Sequence, residues 1–402
     1  MSSQNPQQQV RRRRVFYIPG YDPYPPRRYR ELYRSEAQAQ AEISGYDIFV
    51  SAKSGDGPYG WSVNSSQDNE RIQTDVEVLV WSDIVRDSMA RSIPATYWQL
   101  LRTAWVYIST GTLWRLMRLR KGPVIAALYP VGMLLLQLLV AMLVIWGVVA
   151  ALGPWLGSWG WLAAAAGGYA LLWWFRRIDN RLFVYYLMHD YAYSARLRGR
   201  TTPELRERLR NFTDLIARAL DTDVDEVLVV GHSSGAHLGV TVLAELLRRQ
   251  PPSGPTLSFL TLGQVVPMVS FLPDAHQLRA DLQYLSAQEG LFWVDVSAPG
   301  DGCAFALCDP VAVSGVAGPD KRWPLVLSAA FTQTLSAERW RALRWRFFRL
   351  HFQYLCAFDR PGGYDYFRVT AGPLTLRDRF ANRAPSASRI DQTVSKYTSV
   401  HA

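Results

Sequence analysis

The chain has 402 residues, 49% of them hydrophobic, and its 44 Lys and Arg against 34 Asp and Glu give a formal charge of +10. Domains of about 100 to 200 residues make this one large domain or two small ones, so core size does not limit the fold. Three cysteines, Cys303, Cys308 and Cys356, exclude a disulfide-built scaffold; they fit a reducing compartment and, lacking a second ligand pair, predict no metal site.

Residues 1–14 read as a polar, then basic tail. No apolar run follows that would make a cleavable secretory signal, so the start of the chain is expected in the cytoplasm. Residues 15–121 are expected to form the first part of an α/β domain. The stretch VFYIPGYDP from Val15 is a short strand running into a Gly/Pro/Asp turn. A helix rich in Arg, Glu, Ala and Gln is predicted over 27–41, then strands over 46–52, 60–64 and 76–81.

Positions 122–175 contain no Asp, Glu, Lys, Arg or His. Gly153, Pro154 and Gly157 divide the interval into 124–152 and 159–175. The first exceeds the roughly 20 residues that cross a hydrocarbon core, and the second is near the lower limit of roughly 17. A transmembrane hairpin of two antiparallel spans is therefore predicted. Arg115, Arg118, Arg120 and Lys121 flank its entrance, Arg176, Arg177 and Arg181 flank its exit, and the link is uncharged, which puts both ends and the α/β domain on the cytoplasmic side of the membrane. Trp155, Trp159 and Trp161 at the turn and Trp173 and Trp174 at the exit suit the interface, while Ala163 to Ala166 with Gly167 and Gly168 allow close helix packing. A hairpin re-entering one leaflet is the alternative, because the second segment is short and starts among Gly and Trp residues. Buried helices of a soluble core are a third reading, which so long a charge-free interval opposes. The arginines beside this interval and in the tail point to anionic lipid headgroups rather than nucleic acid. No G-x-x-x-x-G-K-[S/T] or G-x-G-x-x-G is present to bind a nucleotide.

Residues 176–376 are expected to complete the α/β domain. A helix over 202–220 precedes a buried strand over 226–230 and a helix over 236–249. Strands follow over 257–262, 291–296 and 325–328, with helices over 275–286 and 337–354. Strand and helix alternate, which predicts a mostly parallel sheet with helices on both faces. Residues 377–402 are polar without an apolar period and read as a disordered tail.

Between the buried strand and its helix lies Gly231-His232-Ser233-Ser234-Gly235, a G-x-S-x-G match. In that setting the serine occupies a strained strand-to-helix turn that lifts its Oγ above the sheet, and the glycines leave room for close backbone approach. Ser233 is thus the candidate nucleophile; the plain alternative is a glycine-rich turn whose serines cap the helix. A serine needs a base and a group to orient it, in the chain order serine, acid, histidine. Downstream lie His237, inside the helix after the turn, His276, at an exposed helix start ahead of the acid, His351, beyond the last strand, and His401, in the tail. Chain order selects His351, whose alternative is a histidine packed on an aromatic helix face. Asp301, in a Pro/Gly loop past a strand end, is the candidate acid, with Asp309 in reserve and Asp295 inside the strand. The amides of Ser234 and of Tyr21, with Gly20 leaving space, are the candidate oxyanion hole; an ordinary turn at Gly20 is the alternative.

With YIPGY early, GHSSGA in the middle, Asp301, and His351 late, the chain resembles the α/β-hydrolase superfamily of serine esterases and lipases. The resemblance covers element order over most of 15–121 and 181 to about 375, and only the elbow is a specific motif. It implies ester, thioester or amide hydrolysis through an acyl-enzyme, with no metal or organic cofactor. Two features depart from it: the hairpin is inserted before the elbow strand, and His351 lies in helical sequence well past the last strand. A membrane location makes a lipid or acyl ester the expected substrate. A non-catalytic membrane protein with a degenerate hydrolase domain and an acyltransferase on the same scaffold are the competing functions.

Overall fold

The computed structural model describes residues 9–89, 92–249 and 254–401. Most of the expected tail at 1–8, and residue 402, lie outside them. The first segment runs β1 (Arg12–Ile18), α1 (Arg27–Ser44), β2 (Asp47–Ala52), β3 (Gly60–Gln67) and β4 (Glu70–Val78). Helices follow: α2 (Ser82–Ser88), α3 (Ile93–Ser109), α4 (Thr112–Leu119), α5 (Lys121–Leu156), α6 (Ser158–Arg177), α7 (Asp179–Leu182), α8 (Val184–Ala195) and α9 (Pro203–Leu220). Then come β5 (Glu226–His232), α10 (Gly235–Arg249), β6 (Thr256–Leu262), α11 (Pro267–Ser270), α12 (His276–Ser286), β7 (Leu291–Ser297), α13 (Pro310–Val313) and β8 (Leu325–Ser328). The chain closes with α14 (Phe331–Thr334), α15 (Ala337–Leu343), α16 (Phe347–His351), a 3-10 turn (Gln353–Leu355), α17 (Tyr366–Ala371) and α18 (Leu376–Phe380).

The strands form one sheet in the order β2-β3-β4-β1-β5-β6-β7-β8. From β4 to β8 every pair is parallel, and β2 and β3 add an antiparallel edge. Side chains alternate across a strand. Val15, Tyr17, Leu228 and Val230 therefore enter one apolar layer with Tyr33 and Ala37 of α1, Phe367 of α17 and Phe380 of α18. Phe16, Ile18, Val227 and Val229 enter the other with Phe212 of α9, Val240 of α10 and Leu282 of α12. Helices on both faces explain why β5 and β7 are buried along their whole length and carry almost unbroken apolar sequence. This is a mixed α/β fold with a central sheet.

Several expectations need correction. The basic run is not a tail, because β1 begins at Arg12. Arg13 is buried there, donating to Glu226 Oε2 at 2.6 Å and to the carbonyls of Gly372 and Leu374 at 2.9 and 2.7 Å, and Arg14 pairs with Glu77 of β4 at 2.8 Å. The acids on neighbouring strands account for these positions. The charge-free interval splits at Gly157 rather than at Gly153 and Pro154, since α5 continues to Leu156. Among the described residues α5 alone is long and apolar enough to cross a membrane; in α6 the Gly, Ser, Tyr and Trp residues lower the mean hydropathy. The two are antiparallel: a Cβ on Gly160 would meet Gly153, and one on Gly168 would meet Ile145. The helix expected over 337–354 is broken between α15 and α16 and ends at His351. The expected disordered tail lies on the body: Ile390 N–H donates to Leu307 O (2.7 Å), Val394 N–H to Val313 O (3.1 Å), and Arg279 Nε–H to Ser399 O (2.7 Å).

Candidate active site

β1 pairs with β4 on one side and β5 on the other. The connection after β1 leads to α1 on one face, and that after β5 leads to α10 on the opposite face. At such a reversal the carboxyl ends of the strands leave a crevice, the usual ligand site of an open α/β sheet. Gly20 and Tyr21 follow β1 there, and Ser233 follows β5.

Ser233 has φ 56°, a left-handed conformation that costs a residue with a side chain about 1 to 3 kcal/mol. The flanking glycines are dictated by contact: a Cβ on Gly235 would stand 2.0 Å from the Ile18 carbonyl oxygen, and one on Gly231 2.7 Å from the Gly235 carbonyl oxygen. Ser233 N–H donates to Leu262 O at 2.9 Å, and Ala236 N–H donates to Ser233 O at 3.1 Å, which locks the turn. Neither Ser233 Oγ nor Ser234 Oγ makes a hydrogen bond among the described residues, so neither hydroxyl caps α10.

Asp301, in the loop after β7, is buried. Its Oδ2 accepts from His351 Nδ1–H at 2.7 Å and from the Tyr354 hydroxyl at 3.0 Å, and its Oδ1 accepts from Cys303 N–H at 2.9 Å. Burial alone would raise this carboxyl, but the facing His351 and the donated hydrogen bonds outweigh it and hold it below the ordinary carboxylate value. The helix break brings His351, at the end of α16, to Asp301; Tyr354, three residues on, reaches the same carboxylate and accepts from Ala298 N–H at 3.0 Å. His232, inside the G-x-S-x-G run, donates from Nε2 to the His351 carbonyl at 3.0 Å, with the two rings 4.8 Å apart. Burial, then the neighbouring His351, push its imidazole down to about 3, so it is neutral.

Ser233, His351, Gly20, Tyr21 and Ser234 line one cavity of about 770 Å³. No hydrogen bond joins Ser233 Oγ to His351 among the described residues. The main-chain N–H groups of Tyr21 and Ser234 donate to no protein acceptor among those residues either, so both are available to a ligand. Asp190, on α8, lines the same cavity with no hydrogen-bond partner among the described residues. Burial holds its carboxyl up at about 7, against the opposing influence of His351.

The other candidates are engaged elsewhere. Asp309 caps α13 through Val311 N–H and Ala312 N–H and pairs with Lys321. Asp295 is buried in β7 against Thr261. His237 is half-buried in α10, where desolvation lowers its imidazole to about 4, and His276 accepts from Arg279. Asp301, Cys303 and His351 offer ligand atoms within 4.8 Å of one another. The 2.7 Å between His351 Nδ1 and Asp301 Oδ2 is a hydrogen bond; two ligands on one tetrahedral zinc stay roughly 3.2 Å apart. Burial also raises the Cys303 thiol and keeps its proton on, so the donor set fits a hydrogen-bonded group better than an ion.

Sequence reasoning did not single out His232, Tyr354 or Asp190. Tyr354 was traceable, since a residue three places after a helical histidine shares its face. His232 precedes Ser233 and so falls outside the chain order serine, acid, histidine. Asp190 carries no local signal, because only the packing of α8 brings it to the cavity. No family model matches the chain, and no curated protein or solved structure matches it.

Proposed function

We propose that the chain is a membrane-anchored serine hydrolase with an α/β-hydrolase-like arrangement, cleaving an acyl or lipid ester through an acyl-enzyme on Ser233. The carrying observation is the strained φ of Ser233 at a cavity that is also lined by His351, itself held by Asp301. Strain of this kind persists where the surrounding structure enforces it, most often at functional sites. The parallel sheet, with β1 and β5 adjacent at its centre, supports the hydrolase-like reading.

In the proposed reaction Ser233 Oγ attacks the ester carbonyl as His351 Nε2 takes its proton. The Tyr21 and Ser234 amides receive the tetrahedral oxyanion, with Gly20 leaving space beside it. Collapse breaks the ester C–O bond, and His351 returns the proton to the departing alcohol. Water then attacks the acyl-enzyme and gives a proton to His351; the acid departs as that proton returns to Ser233. Asp301 fixes the Nδ1–H tautomer and balances the imidazolium. Tyr354 and His232 position the pair, one through the carboxylate and the other through the His351 carbonyl. α5 and α6 act as a membrane hairpin whose two ends, flanked by arginines, lie with the catalytic domain on the cytoplasmic side.

The missing Ser233–His351 hydrogen bond favours a second reading, a non-catalytic membrane protein with a degenerate site, although such bonds often close only around substrate. Labelling of the membrane fraction with a fluorophosphonate probe decides between them. Wild type is expected to label and Ser233→Ala to lose labelling while staying in the membrane; a folded wild type that does not label refutes the hydrolase. An added acceptor alcohol then separates hydrolysis from acyl transfer by product.

A further inference from the structure

The cover of the cavity differs from the rest of the surface. α15, the 344–346 link and α16 carry AERWRALRWRFFRLH, and Leu343, Arg346, Phe348 and Arg349 from it line the cavity. On the outside Trp345 is 72% and Phe347 47% exposed, beside exposed Arg341, Arg344, Arg346 and Arg349. Arg341 Nε–H donates to the Ala337 carbonyl, and Arg344 lies over the Trp345 ring. Arg346 and Arg349 have no ion pair among the described residues and stand at the cavity mouth. Of the acids there, Asp22 is engaged by Arg28 and Glu36 by Arg339, while Asp190 lies on the α8 wall. Asp190 is the one of these acids with no partner among the described residues, and it is half-buried, whereas Arg346 and Arg349 are exposed, so an approaching headgroup meets two open guanidinium groups first, which favours an anionic one.

This cover sits at the foot of the hairpin. A Cβ on Gly302 would lie 3.2 Å from the Phe347 ring, and one on Gly122, in the first turn of α5, would lie 3.2 Å from the Gly302 Cα, so α16, the Asp301 loop and α5 are stacked in contact. The facing wall, α8, packs on α5 and α3, and its neighbour Phe183 meets Phe348 with ring centres 4.8 Å apart. On α3, Trp98, Leu101, Trp105 and Ile108 form a stripe at helical spacing, exposed by 67, 60, 73 and 51%. Tryptophan with arginine on one exposed surface is the composition of a membrane interface.

Resting on the hydrolase reading, we infer that the substrate is a bilayer lipid with an anionic headgroup, drawn in beneath α15 and α16. Arg346 and Arg349 meet the headgroup charge, and Trp345 and Phe347 enter the interface and hold the mouth at the leaflet.

The test uses the full chain in vesicles of phosphatidylcholine, with or without phosphatidylglycerol, and measures fatty-acid release. Wild type is expected to release acid about ten-fold faster from the anionic vesicles, and the double variant Arg346→Gln/Arg349→Gln to cut that ratio to about two-fold. Trp345→Ala/Phe347→Ala is expected to slow release from both vesicle types and leave the ratio unchanged. A wild-type ratio near one, or a ratio the arginine variant keeps, overturns the inference. So does turnover of short-chain monomeric phosphatidylglycerol equal to that of vesicles, since the bilayer would then not be the source. A protein that labels with fluorophosphonate but releases acid from no vesicle overturns this inference alone; one that does not label fails the hydrolase reading beneath it.

Discussion

Asp295 and Asp301 stand six residues apart, both buried, with their carboxyls pushed in opposite directions. Asp301 faces His351 and receives three donors, which keep it ionised; Asp295 has one Thr261 hydroxyl at 2.7 Å on Oδ1, while its Oδ2 has no partner among the described residues. Burial raises Asp295 to about 7, the Thr261 bond offsetting only part of that, and the charge of Asp309 adds to it. An unfolded aspartate titrates near roughly 3.9, so between about pH 4 and about pH 7 the folded chain holds a proton that the unfolded chain has lost. This group's contribution to stability is complete below that window and falls as pH rises through it, by up to about 1.4 kcal/mol per unit. Asp295→Asn is expected to flatten the fall, read as the difference between urea midpoints at pH 5 and pH 8 in detergent; equal slopes in variant and wild type would count against it. The sequence distinguished the two aspartates, since one lies in an apolar strand and the other in a Pro/Gly loop. It did not reveal the donors around Asp301, because Cys303 and Tyr354 reach it only through the folded loop and the break before α16.

At the scale of elements, the tight β5–α10 turn was legible and the α15–α16 break was not. The turn declares itself because its glycines stand where backbone meets backbone, a demand only one residue type meets. Gly235→Ala would drive a Cβ to 2.0 Å from the Ile18 carbonyl, which must part β1 from α10. A loss of about 3 kcal/mol or more is expected, seen as a lower thermal midpoint or lost folded yield. Gly167→Ala, on α6 with nothing within 4 Å of the new Cβ, should stay within about 1 kcal/mol of wild type; parity between the two variants would refute the steric account. The break before α16 has no Gly or Pro to announce it. It follows instead from Leu350 and Tyr354 entering the core beside Phe331 and Phe358, while Trp345 and Phe347 remain outside. The burial of Arg13 is illegible for a related reason: it depends on Glu226, a residue far along the chain whose strand becomes its neighbour only in the sheet.

For the whole molecule, the hairpin's lengths bear on how it meets the bilayer. α5 has 36 residues, about 54 Å of helix, well beyond a hydrocarbon core of roughly 30 Å. Its first part belongs to the domain: Gly122 abuts Gly302, Tyr129 donates to the Leu182 carbonyl, and Tyr97 of α3 donates to the Leu134 carbonyl. What extends past Leu134 is about 33 Å long, and the 20 residues of α6 supply about 30 Å beside it. If α5 and α6 form the proposed hairpin, both arms match one bilayer thickness in length, and the uncharged turn at Gly157 should emerge on the face opposite the domain. Ser158→Cys beside that turn and Ser388→Cys on the domain place exposed thiols at the two ends, while Cys308 is buried and Cys303 and Cys356 are half-buried. In sealed vesicles of one orientation, an impermeant maleimide is expected to label one of the two thiols and, in vesicles of the reverse orientation, the other. Labelling of both from the same side, or of Ser158→Cys only after detergent, would mean that the hairpin turns back inside the leaflet. The match in length would then reflect a tilted, re-entrant pair rather than two spans.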